Sequence, residues 1–129
     1  MLIVILIVGI LLVVSSKFDI FLPREYRNRK CMGQQWRAEF PNLSNEEIRK
    51  FLIIFVDAFM FKHKDKLKFE PSDKILEIYK SIYPNSGGAD QMEFEFFSDD
   101  IKETYDVALN KVWHDNITLG ELLSVCVAP

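Results

Sequence analysis

Residues 44–59 read SNEEIRKFLIIFVDAF, and this stretch decides the fold class. Ser44 and Glu47 have the spacing of a capping box, in which a hydroxyl and a carboxylate each satisfy an otherwise orphaned backbone N–H at a helix start. Ile48, Phe51, Leu52, Phe55, Val56 and Phe59 follow at three- and four-residue steps, while Arg49, Lys50 and Asp57 fall largely on the other side. Ile53 and Ile54 broaden the apolar face, toward burial on more than one side or a second contact surface. A strand would also suit the β-branched and aromatic residues from Phe51 to Val56, but the cap selects a helix.

Toward the C-terminus the same periodicity recurs. Lys62 to Lys68 reads as a solvated connector, and Pro71 suits the first turn of a helix over 72–82 that aligns Ile75, Leu76, Tyr79 and Ile82. Pro84-Asn85-Ser86-Gly87-Gly88 is a run of turn formers. A third helix then aligns Met92, Phe96, Phe97, Ile101 and Tyr105 in one apolar stripe, with Glu93, Asp99, Asp100 and Glu103 largely outside it. Thr118 to Glu121 repeats the capping-box spacing and opens a closing helix through Leu122, Leu123, Val125 and Cys126, where Cys126 shares the Leu122 face and belongs to the core. Four helices and no strand predict an all-α domain over 44–129.

Toward the N-terminus the character changes. Met1 to Ser16 carries no charge, and Met1 to Val14 is Leu, Ile and Val interrupted only by Gly9. Sixteen helical residues span about 24 Å, and Phe18 to Leu22 extend the stretch toward the ~30 Å of a hydrocarbon core, with Lys17 able to snorkel. Residues 1–22 therefore read as a transmembrane anchor. A cleavable secretory signal, with Val14 and Ser16 before the cut, is the alternative, although no Lys or Arg precedes the apolar run. Lys17 to Arg37 holds six basic and two acidic residues, so 23–43 reads as a basic juxtamembrane linker attracted to anionic lipid. The positive-inside tendency then leaves the C-terminal domain in the cytoplasm.

The chain of 129 residues has room for one compact domain, and 49% apolar with 27% charged residues excludes a disordered or collagen-like polymer. Its net charge of −3 argues against nucleic acid as a partner. From Phe51 onward eight Lys face fourteen Asp and Glu, so a basic stalk carries an acidic head.

That head resembles the acyl carrier protein family over about residues 44–127. Gly88-Ala89-Asp90-Gln91-Met92 stands where carriers have Gly-Ala-Asp-Ser-Leu, Tyr105 is the aromatic fourteen residues further on, and Thr118 to Val127 is the capped closing helix. Leu67, Asp73, Ile78 and Tyr79 also resemble short carrier-like bacterial proteins of unassigned role. The resemblance implies a bundle whose second helix presents acid to basic partners. It also implies a phosphopantetheine arm on a serine, yet Gln91 occupies that position and offers no nucleophilic hydroxyl. Asp90, Glu93, Glu95, Asp99, Asp100, Glu103 and Asp106 are the corresponding partner-binding residues.

No further chemistry is patterned in the chain. His63 and His114 stand apart from any nucleophile motif, the acidic run lacks EF-hand spacing, Cys31 and Cys126 form no framework, and Gly87-Gly88 lacks a phosphate-loop context. The expectation is a non-catalytic, single-pass inner-membrane protein without cofactor or metal, which contacts lipid through 1–22 and the basic linker and docks a protein with a basic patch. The alternatives are a carrier that uses an atypical attachment residue such as Ser86, and an immunity or inhibitor protein whose acidic face masks a basic toxin.

Overall fold

In the computed structural model the described residues are 22–83 and 92–128. They form seven α-helices: α1 (Arg24–Arg27), α2 (Gly33–Glu39), α3 (Asn45–Ala58), α4 (Ile75–Ile82), α5 (Met92–Tyr105), α6 (Leu109–Val112) and α7 (Leu119–Cys126), with a 3-10 helix at His63–Lys68 between α3 and α4. The all-α class is therefore as expected. Residues 1–21 of the expected transmembrane anchor lie outside the described residues, while Leu22, expected as its last residue, is buried in the core of the domain, and no described helix is long and apolar enough to cross a membrane.

Helix α3 starts as its sequence dictates. Ser44 is extended and its hydroxyl accepts the Glu47 N–H at 3.1 Å, while Glu46 and Glu47 place negative charge at the positive end of the helix dipole. The helix ends in a Schellman motif. Met60 takes the left-handed conformation (φ 65°), its N–H returns to Asp57 O at 3.2 Å, and the Phe61 N–H reaches Val56 O at 2.8 Å.

Phe55 of α3 is the centre of the core. Its ring lies edge-on to Phe69 and Phe97, at 5.2 and 5.7 Å, and against Phe59 at 5.0 Å. These geometries suit the aromatic quadrupole, and all four rings are buried. Helix α3 packs on the 3-10 helix and on α5, and α5 in turn packs on α6. Ile53 and Ile54 are half-buried, and Ile54 packs against the core.

Pro71 does not enter a helix. It follows Glu70 in a turn closed by Asp73 N–H to Glu70 O at 3.1 Å, a position that suits its fixed φ. The chain then runs extended beside the approach to α7: Ile75 N–H donates to Ile117 O at 3.1 Å, Leu119 N–H to Asp73 O at 3.0 Å, and Gly120 N–H to Pro71 O at 2.8 Å. These partners hold the backbone of 73–74 outside helical geometry, which is why α4 begins at Ile75 instead of at 72. Gly120 is needed where the strands of chain meet, because a Cβ there would lie 2.9 Å from Pro71 Cβ and 3.0 Å from Pro71 O.

The segment 23–43, expected as a basic juxtamembrane linker, folds into the domain. Leu22, Tyr26 and Trp36 are buried, and the Trp36 indole donates to Phe69 O at 2.8 Å. Arg29 makes a two-pronged pair with Asp73, Nη1 to Oδ2 at 2.6 Å and Nη2 to Oδ1 at 2.9 Å, and Asp73 Oδ2 also accepts the Glu70 N–H at 2.8 Å. The pair raises the Arg29 pKa further, and Arg29 also lies over the Tyr26 ring at 4.7 Å. A basic composition conceals this role, because the acid that pairs with Arg29 is 44 residues away.

Candidate functional site

The site is the outer face of α5 and the groove beside it. Phe94, Phe97 and Ile101 are the buried residues of this helix. Phe94 is held in an aromatic box, 4.9 Å from Tyr79, 5.1 Å from Phe59 and 5.3 Å from Trp113, each nearly edge-on. The expected stripe is therefore corrected: Phe97 and Ile101 face the core and Tyr105 is half-buried, but Met92 is 63% and Phe96 54% exposed. The helix is rotated so that Phe94 replaces both of them inside.

This phase places two large apolar side chains on the solvent side among carboxylates. At 100° per residue, Met92, Phe96, Asp99 and Glu103 share the outward face, with Glu95 at its edge. Glu95, Asp99 and Glu103 are exposed, whereas Glu93 and Asp100 are half-buried on the flank. Burial raises the Asp100 pKa, and the nearby carboxylates of Glu103, Asp57 and Asp99 raise it further. Asp57 of α3 thus joins the acidic field, which periodicity on α5 alone does not disclose.

Asp106 behaves differently from the other candidates. It ends α5 in the left-handed conformation (φ 57°), its N–H returns to Lys102 O at 2.9 Å, and its carboxylate accepts from Lys102 Nζ at 2.7 Å, which lowers its pKa. Its charge is locally compensated. Asp90 and Gln91 lie outside the described residues, as do Ser86, Gly87 and Gly88.

Beside this face a groove of about 510 Å³ runs between α5 and α6. Phe94, Leu109 and Trp113 give it an apolar floor, while Glu95, Ser98, Asp99 and Asn110 complete its lining. Glu95 and Asp99 therefore stand between the groove and the exposed Met92 and Phe96. An aliphatic stem fits such a floor, with its ammonium or guanidinium head against the carboxylates and the Trp113 face. The residues that sequence reasoning missed here are Leu109 and Trp113, because α6 is a single turn without a periodic signal.

The two histidines form ordinary surface pairs. His63 Nε2 meets Asp57 Oδ1, and His114 Nε2 meets both oxygens of Glu121 at 2.8 and 2.9 Å, all exposed. Cys126 is buried and its thiol pKa is pushed up to about 12, while Cys31 is exposed. Among the described residues no group of three or more His, Cys, Asp or Glu is placed to hold a metal ion. No protein-family model, curated protein or solved structure matches this chain, so the likeness to acyl carriers stands on its residues alone.

Proposed function

We propose that this chain is a non-catalytic interaction module, anchored by residues 1–21 at the cytoplasmic face of an inner membrane, whose α5 docks a cationic, amphipathic segment of a protein partner. The observation that carries this reading is the exposure of Met92 and Phe96 in the middle of an acidic face. Carboxylates alone suit a solvated helix. Two large apolar side chains one turn apart among them do not improve solvation, but they complement a partner that offers apolar contacts flanked by Lys or Arg. Gln91 in place of the carrier serine agrees with a carrier-like domain that keeps docking and lacks the arm.

A photo-crosslinking residue at Phe96, in the full chain produced in its own host, tests the reading. The expected result is one discrete protein adduct that disappears when Glu95→Lys and Asp99→Lys are introduced together. An adduct indifferent to that reversal, or none, refutes it.

A further inference from the structure

Two basic segments far apart in sequence meet at one end of the domain. Residues 24–30 contain Arg24, Arg27, Arg29 and Lys30 with Glu25, and residues 62–68 contain Lys62, Lys64, Lys66 and Lys68 with Asp65. Helix α1 packs on the 3-10 helix. Two reciprocal contacts tie the segments: Arg29 Nη1 donates to Lys68 O at 3.1 Å, and Lys68 Nζ donates to Arg29 O. Beyond them the Met32 N–H donates to Leu67 O at 2.7 Å. The 3-10 helix is thus the floor on which the basic segment lies, and its lysines are not a detached solvated connector.

The charge gathered there is offset in part. Arg29 is engaged with Asp73 and also feels Glu70, Glu77 acts on Tyr26 of α1, and Asp57, at the near end of α3, is engaged with His63. Glu25 and Asp65 are the acids within the two segments, against seven further cations, of which Arg24, Arg27, Lys30 and Lys64 are exposed. The described chain begins at Leu22, directly after the apolar run, so this end of the domain is the one that follows residues 1–21.

We infer that α1 and the 3-10 helix together form one basic face that lies on an anionic lipid surface, so that the domain is seated against the headgroups in a set orientation instead of hanging from a flexible tether. This rests on the reading of residues 1–21 as a membrane anchor, and it adds Lys64 and Lys66 as lipid contacts. Anionic headgroups suit the face because its cations come from two adjoining segments at the end of the domain that follows the apolar run. A nucleic acid would in addition meet the field of an acidic head.

The test is lysine acetylation footprinting of the full chain, read by mass spectrometry, in vesicles of neutral phosphatidylcholine and in vesicles that also contain phosphatidylserine. The inference expects Lys64 and Lys66 to be acetylated about fivefold more slowly, or slower still, in the anionic vesicles, with Lys111 unchanged and the protection lost in high salt. It also expects Arg24→Gln with Arg27→Gln to weaken the protection of Lys64. Equal rates in both vesicles, or protection by a short RNA duplex and not by anionic vesicles, overturn it. Flotation with the neutral vesicles tests the anchor separately. A chain that floats without anionic protection keeps the anchor and loses this inference, whereas one that does not float loses the anchor, and the anionic footprint still decides the face.

Discussion

Replacing Arg29 by Met removes the cation from a buried carboxylate and tests whether residues 22–43 belong to the folded unit. Asp73 is 9% exposed and takes two hydrogen bonds from Arg29 and one from the Glu70 N–H. Without Arg29 the Glu70 N–H remains, and two charge-assisted bonds are lost. Breaking a buried pair by deleting one partner costs about 3–5 kcal/mol, and the 23% exposure of the Arg29 side chain admits water to the vacated space, which favours the lower end. The expected loss is about 3 kcal/mol, or roughly 12 °C in Tm for a chain of this size. Urea unfolding of the full chain in mild detergent, followed by the fluorescence of Trp36, measures it. Arg29→Met with Asp73→Asn should recover a large part of the loss, since a buried amide needs no counter-charge. A loss below about 1 kcal/mol for Arg29→Met, with an unchanged denaturant slope, refutes the reasoning. The stalk would then lie outside the cooperative core.

Three further outcomes are expected. Gly120→Ala drives a methyl group into the Pro71 ring and carbonyl and should destabilise by about 2 kcal/mol in the same assay, while Ser124→Ala on the exposed side of α7 stays within about 0.5 kcal/mol. Met60→Gly relieves a left-handed residue that is 41% exposed and should stabilise by about 1 kcal/mol, measured by the urea midpoint, and a decrease would contradict the Schellman ending of α3. Burial pushes the Tyr26, Tyr105 and Cys126 pKa values up to about 12 from 10.0, 10.0 and 9.0. The unfolded chain therefore loses these protons first, so stability is full below about pH 9 and falls as pH rises toward about 12. The unfolding free energy against pH checks this sign, and a thiol reagent at neutral pH should react with Cys31 at once and with Cys126 only in denaturant.

The parts of the fold that were legible in the sequence are those fixed by near neighbours. Ser44 with Glu47 and Thr118 with Glu121 announce the starts of α3 and α7, and in both cases the hydroxyl accepts the N–H three residues on. Burial of Phe51, Leu52, Phe55 and Cys126 follows from helical spacing. What escaped depends on distant partners. The start of α4 is delayed by hydrogen bonds to residues near 117–120, and the basic stalk is ordered by Asp73 and Phe69, neither of which leaves a mark on the composition of 23–43.

The candidate site was legible as charge and illegible as shape, for a reason that lies in the phase of α5. At 100° per residue the apolar residues of 92–105 fall on two opposite faces, Met92 with Phe96 on one and Phe94, Phe97, Ile101 and Tyr105 on the other, so the stripe expected through Met92, Phe96, Phe97, Ile101 and Tyr105 joined residues that no single face holds. The rings that wait in the core, Phe59, Tyr79 and Trp113, receive Phe94 and so fix which of the two faces is buried, and they come from three other parts of the chain. Once Phe94 fills that box, helical geometry carries Met92 and Phe96 to the solvent side, beside Asp99 and Glu103. The exposed apolar pair is thus a consequence of core packing and not of the acidic composition. A substitution that leaves Phe94 in place, such as Phe96→Ser, should therefore abolish docking without loss of stability, whereas Phe94→Ser should unfold the box first. Loss of stability from Phe96→Ser comparable to that from Phe94→Ser would show that the helix sits in the other phase, and the docking face proposed here would then be core.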